Sequence, residues 1–262
     1  MVWFMGIDIG SATTKGVITK DGELLTYHLF PSGANYRVAA QGLREGLLAK
    51  AGLTPEDIAF TVVTGYGAGS VPFTGYEVAA LRCCARGIHT IFTSVRTVID
   101  VGGQSTQVIR LNDGGQVIDF AVSEKCAAGS GRFLNIIANV LRIALKDIGP
   151  FSLRSKNPVT FTTGCAVFGE SEAVSRVAEG VSKEDILAGV HKALADKISA
   201  LVDRVGLEKE CAISGGGALD VGLVKSVEEK LRVQLLVPPQ PQIINALGAA
   251  TIAEERQGLV TP

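Results

Sequence analysis

The sequence predicts an α/β protein of two similar domains, each a β-meander followed by helices, with a ligand cleft between them. Three observations predict this. The order strand, glycine turn, strand occurs near the start of the chain and again from residue 97. After each occurrence the apolar spacing changes from the period of a strand to that of a helix. Glycine-rich turns stand where three of the strands end, and clefts between domains are favoured places for ligands.

With 262 residues, 47% of them apolar and 19% charged, the chain can bury a substantial core. Lys and Arg together number 25 against 26 Asp and Glu. That balance leaves no long-range positive field to gather nucleic acid or an anionic membrane, so small molecules or proteins are the expected partners. The apolar run over residues 1–9 is too short to span a bilayer and lacks a basic leader, so it reads as a buried strand of a cytoplasmic protein.

Residues 3–9, 16–19 and 23–30 read as strands, the last two joined at Asp21-Gly22, a dipeptide suited to a tight hairpin. A helix is expected over 37–51, a strand over the β-branched run 60–64, and a second helix over 76–87. From Thr97 the pattern restarts with strands at 98–101, 106–111 and 117–122, the latter two joined by Asp113-Gly114-Gly115. Helices are then expected at 131–145, 166–179, 183–205, 219–231 and 243–256, with short strands at 211–214 and 234–237. The domains are expected to be 1–94 and 95–262, the C-terminal helix packing back towards the first.

The first glycine turn is Asp8-Ile9-Gly10-Ser11-Ala12-Thr13-Thr14-Lys15, between two buried strands. Glycine lets backbone N–H groups approach an anion, and the hydroxyls and Lys15 add donors for phosphate. The second, Asp100-Val101-Gly102-Gly103-Gln104-Ser105, holds the same position in the repeat. Two such turns would grip a polyphosphate from two sides, each bringing one carboxylate towards Mg²⁺. The third, Ser214-Gly215-Gly216-Gly217-Ala218, lies between a strand and a helix and leaves room for a flat group such as adenosine. Any one of them alone reads as a tight turn that needs positive φ. No GxxxxGK[ST] is present, and Gly65-Tyr66-Gly67-Ala68-Gly69 lacks the spacing of a dinucleotide loop.

Together the three turns resemble the phosphate-1, phosphate-2 and adenosine motifs of the actin-like ATPases, whose domains have the ribonuclease H-like fold. More closely, the chain resembles the activator ATPases of 2-hydroxyacyl-CoA dehydratases and the related ATPase subunits of benzoyl-CoA reductases. The stretches Glu124-Lys125-Cys126-Ala127-Ala128-Gly129-Ser130-Gly131-Arg132-Phe133 and Cys165-Ala166-Val167-Phe168-Gly169-Glu170-Ser171-Glu172 carry that likeness, which runs nearly end to end. The sequence departs from it at Ser105, where the activators have an aspartate.

The resemblance implies an ATPase that binds ATP or ADP with Mg²⁺. Asp8 and Asp100 would position the metal through water, Gly10, Ser11, Ala12, Thr13, Thr14, Lys15, Gly102 and Gly103 would hold the phosphates, and Gln104 would orient the attacking water. Gly215, Gly216, Gly217 and Gln242 would frame the adenosine. It further implies that Cys126 and Cys165 bind a [4Fe–4S] cluster, one per homodimer, fed by ferredoxin or flavodoxin and discharged onto an iron–sulfur dehydratase or reductase. On residue pattern alone these two cysteines also fit small buried hydrophobes, as free cysteines often do. Each stands on a glycine-containing turn ahead of a helix, whose N-terminus favours a thiolate.

Cys83, Cys84 and Cys211 lie in apolar patterns and read as core, and the five cysteines contain no CxxC pair. His28, His89 and His191 are expected at surface or partly buried positions. Two other functions fit the turns without the cysteines: a small-molecule kinase, and a non-catalytic actin-like assembly protein.

Overall fold

The computed structural model describes residues 2–73, 75–123, 130–161 and 166–260. The chain divides into two compact units, Met1–Val95 with Leu111–Ile118 and Pro238–Pro262, and Arg96–Arg110 with Asp119–Val237.

The first unit is built on β1 (Trp3–Ile9), β2 (Thr13–Lys20), β3 (Glu23–Pro31), β4 (Ile58–Thr64) and β5 (Tyr76–Glu77), ordered β3-β2-β1-β4-β5. β1 pairs antiparallel with β2 and parallel with β4. Alternation along β1 sends Met5, Ile7 and Ile9 to one face, where they pack with Leu43 and Leu47 of α1 (Tyr36–Ala51). Phe4 faces the other way, into a cluster with Cys83 of α2 (Ala80–Ile91) and with Ala249 and Ile252 of α8 (Ile244–Val260). α1 starts at Asn35, whose side chain accepts from the Val38 N–H, and stops at Gly52 in the left-handed conformation.

The second unit repeats the strand order. Its β6 (Thr97–Val101), β7 (Thr106–Leu111), β8 (Val117–Val122), β9 (Cys211–Ser214) and β10 (Leu235–Leu236) run β10-β9-β6-β7-β8. β6 is antiparallel to β7 and parallel to β9. Helices α3 (Gly131–Leu141), α4 (Ile148–Ser152), α5 (Ala166–Ala178), α6 (Lys183–Val205) and α7 (Val221–Leu231) complete the unit. The apolar stripe of α6 is fully committed to the core: Ile186, Leu187, Val190, Leu194 and Ile198 join Ile99, Val108, Ile137 and Ile213 in one buried cluster.

Two expected helices differ from those observed. Over 76–87 the first two residues are an edge strand paired with Val62 and Val63, and the helix begins at Ala80. The helix expected to reach 145 ends at Leu141 because Arg142 adopts φ 51° and closes it in the left-handed conformation.

Candidate nucleotide site: two repeated aspartate turns

In the first unit Asp8 stands near the end of β1, only 3% exposed. The sheet register sets Lys15 opposite it on β2 and Thr64 opposite it on β4. Lys15 Nζ therefore meets Asp8 Oδ2 at 2.8 Å. The turn is closed by the Gly10 N–H donating to the Thr13 carbonyl at 3.1 Å. Thr14, read as a phosphate ligand, is fully buried, and its hydroxyl is 2.9 Å from that of Ser32, which donates to the Gly10 carbonyl at 2.7 Å. Thr14 thus braces the turn from beneath, while Gly10, Ser11, Ala12 and Thr13 keep access to solvent.

The second unit repeats this construction. Asp100, 7% exposed, lies opposite Gln107 on β7 and Ser214 on β9. Gln107 Nε2 donates to Asp100 Oδ2 at 2.9 Å, and Ser214 Oγ donates to Oδ1 at 3.0 Å. The Gly102 N–H donates to the Ser105 carbonyl at 2.9 Å, the counterpart of the Gly10 bond. Gly103 and Gln104 sit partly exposed at the turn's tip. One difference separates the halves: a lysine neutralises Asp8, whereas an uncharged amide orients Asp100.

Behind each aspartate stands a glycine in the left-handed region, Gly65 at φ +93° and Gly215 at φ +81°. A side chain at Gly65 would collide with Asp8 Oδ1 and the Ile9 carbonyl, and one at Gly215 would collide with Asp100 Oδ1 and the Val101 carbonyl. Thr64-Gly65-Tyr66-Gly67-Ala68 is therefore the first unit's counterpart of Ser214-Gly215-Gly216-Gly217-Ala218. Sequence reasoning set the former aside, though the shared pattern of hydroxyl, glycine, any residue, glycine, alanine was there to be read. Gln107, Ser32 and Ser214 also escaped the site assignment, because their role depends on cross-strand register.

The third turn, Gly216–Leu219, is a short 3₁₀ segment that runs into Asp220. Asp220 Oδ1 accepts from the N–H groups of Gly222 and Leu223 and caps α7. Its other oxygen is 2.9 Å from His191 Nε2, and His191 Nδ1 is 2.9 Å from Ser152 Oγ. His191 is fully buried, which corrects the expectation of a surface or partly buried position. Gln242, expected near the adenosine, lies in the 3₁₀ segment Pro241–Ile243 of the first unit.

The second turn is also fastened to α3. Ser130 Oγ and the Arg132 N–H both donate to the Gly103 carbonyl at 3.1 Å, and the Gly131 N–H donates to the Gly102 carbonyl at 2.9 Å. Cys126 and Cys165 lie outside the described residues. The other three cysteines are buried and form no disulfide, and burial pushes the thiols of Cys83 and Cys211 up to about 12. Among the described residues there is no cluster of His, Cys, Asp and Glu that could hold a metal ion, and no helix is long and apolar enough to cross a membrane.

Residues 5–253 match the sequence profile of the BadF/BadG/BcrA/BcrD ATPase family. The chain is 38% identical over 252 residues to the 2-hydroxyisocaproyl-CoA dehydratase activator of Clostridioides difficile, covering 96% of this chain and 95% of that protein. It is 37% identical to the (R)-2-hydroxyglutaryl-CoA dehydratase activating ATPase of Acidaminococcus fermentans, covering 97% and 98%. Among solved structures, the activator of the 2-hydroxyisocaproyl-CoA dehydratase from Clostridium difficile with bound ADPNP superposes with a TM-score of 0.93 at 37% identity, over 99% of this chain and 98% of that one. A ROK family glucokinase from Streptomyces griseus, 13% identical, shares the fold at a TM-score of 0.60 over 97% and 99% of the two chains. Fold and turns together define an ATPase with the actin-like fold. Within that class, the chain belongs to the BadF/BadG/BcrA/BcrD ATPase family.

Proposed function

We propose that the protein is an ATP-dependent activator that works as a homodimer around one [4Fe–4S] cluster, takes an electron from a ferredoxin or flavodoxin and delivers it to an iron–sulfur dehydratase or reductase. The observation that carries this reading is the fastening of Ser130, Gly131 and Arg132 to the carbonyls of Gly102 and Gly103. These residues follow directly on the segment containing Cys126. A phosphate-binding turn hydrogen-bonded to the residues that follow the cysteine in sequence can pass a change in nucleotide state along the chain. The relatives named as dehydratase activators give the partner its kind.

The donors present suit Mg²⁺-nucleotide. Asp8 and Asp100, each at the end of its central strand beside a glycine turn, would hold the ion through water. Ser11, Thr13, Lys15 and the N–H groups of Ala12 and Gly103 hold the phosphates, with Gly10 and Gly102 closing the two turns through their own N–H groups and Thr14 supporting from below. Gln104 orients the attacking water, and Gly215, Gly216, Gly217 and Gln242 frame the adenosine.

The cysteines suit a shared cluster. Cys83 and Cys84 are buried in α2 and Cys211 is buried in β9, so their thiols are committed to the cores of their units. Cys126 and Cys165 remain, two ligands where four thiolates are usual, so a second copy of the chain completes the set. A cluster so bound supplies one-electron transfer, and ATP hydrolysis drives that transfer to a low-potential acceptor.

The test is anaerobic reconstitution with iron and sulfide. About one cluster per two chains is expected from four-thiolate ligation. Cys126→Ala and Cys165→Ala should each abolish the iron and retain ATP binding. A colourless, iron-free protein, or iron retained in the double variant, overturns the redox reading.

A further inference from the structure

We propose that the first unit carries a second ligand site, for a phosphate monoester on a flat or apolar body, separate from the aspartate turn. A cleft of about 930 Å³ opens there, within the range of small-molecule sites. Its lining combines an apolar set, Phe60, Leu81, Val117 and Ile252, with three arginines, Arg82, Arg86 and Arg256.

The arginines are not equivalent. Arg86 is ion-paired with Glu255 and also donates to the Gly114 carbonyl at 3.4 Å, so it is a fixed wall. Arg256 lies over the ring of Tyr76, its guanidinium carbon 3.5 Å from the ring centre. Stacking holds that plane and leaves its N–H edges available for a bidentate oxyanion. Arg82 is exposed, and neither it nor Arg256 has an ion-pair partner among the described residues. Three arginines against the one carboxylate, Glu255, leave two positive charges at the cleft. A phosphate monoester, at about −1.5 to −2 near neutral pH, balances them, whereas a single carboxylate does not. The apolar floor then accepts the ester's body.

The sheet register separates the two sites. Phe60, at the cleft, pairs with Phe4, while Thr64 pairs with Asp8 at the glycine turn. Phe60 and Thr64 are four residue steps apart on β4, about 13 Å of strand. Both sites can be filled at once, and this one does not depend on the redox reading.

The experiment loads the intact protein with saturating Mg²⁺ and ADPNP and titrates it by calorimetry with AMP, adenosine and inorganic phosphate. AMP should bind saturably, and more tightly than either adenosine or phosphate. In the double variant Arg82→Gln/Arg256→Gln, AMP affinity should fall about tenfold to a hundredfold, as charged hydrogen bonds are lost. ADPNP affinity and ATP hydrolysis should be unchanged in that variant, which shows that the fold and the glycine turns are intact. No saturable heat from AMP on the ADPNP-loaded protein, or an equal affinity in the double variant, overturns the proposal. Adenosine binding as tightly as AMP would overturn it too.

Discussion

Replacing Gly65 by alanine should damage stability and hydrolysis together, while the same change four residues on should do neither. At Gly65, φ is +93° and a new Cβ would meet Asp8 Oδ1 as well as the Ile9 carbonyl oxygen, the latter at 2.6 Å. Forcing an L-residue into that backbone region costs about 1–3 kcal/mol, and overpacking adds about 1–3 kcal/mol. The total is about 4 kcal/mol, and at roughly 2–4 °C per kcal/mol for a chain of this size the melting temperature should fall by about 10 °C. Because the collision is with Asp8 itself, the carboxylate must shift, and misplacement by about 1 Å at a reacting centre costs up to about a hundredfold in rate. Gly69 belongs to the same turn, yet a Cβ there meets nothing within 4 Å. Differential scanning fluorimetry and a steady-state phosphate-release assay on Gly65→Ala and Gly69→Ala measure both effects. A Gly65→Ala protein that melts and turns over like Gly69→Ala would refute the claim that this glycine seats Asp8.

Three further outcomes are expected. Asp100→Asn should weaken Mg²⁺-dependent hydrolysis severely and leave the fold intact, whereas Gln107→Ala, which frees Asp100 Oδ2 from its amide, should lower kcat more than it raises KM for ATP; steady-state kinetics with metal titration separates the two. His191→Ala should cost about 3–5 kcal/mol, because it leaves a cavity and strands both Asp220 and Ser152, and His191→Gln should recover part of the loss in a chemical denaturation series. Native protein treated with iodoacetamide near neutral pH should leave Cys83 and Cys211 unlabelled, since burial holds both thiols near 12 and protonated far above that pH; peptide mass mapping reads this, and rapid alkylation of either would contradict their burial.

Much of the fold was legible because it is written locally. β-Branched runs, the Asp21-Gly22 turn and the helical period of 183–205 fix their elements through near neighbours: β3, β4 and α6 stand within two residues of expectation, while β2 starts three residues earlier and α8 ends four residues later. Where local signals compete, expectation failed. Tyr76 and Glu77 join a strand because Val62 and Val63 offer an open edge, and Arg142 ends α3 through a backbone choice that arginine does not advertise.

By itself the sequence determined that the chain is a twofold repeat of strand, glycine turn and strand with helices, that its glycine turns resemble those of actin-like ATPases, and that it belongs to the BadF/BadG/BcrA/BcrD ATPase family. Only tertiary structure decided what surrounds each aspartate. Lys15 faces Asp8 and Gln107 faces Asp100 through hairpin register, but Thr64 reaches Asp8, and Ser214 reaches Asp100, through parallel pairings across 56 and 114 positions of chain. No local preference encodes such a pairing, because parallel strands meet only after the intervening helices have packed against the sheet. The same holds for His191, whose polar ring is drawn into the core by two partners from α4 and the start of α7, neither of which is its neighbour in sequence.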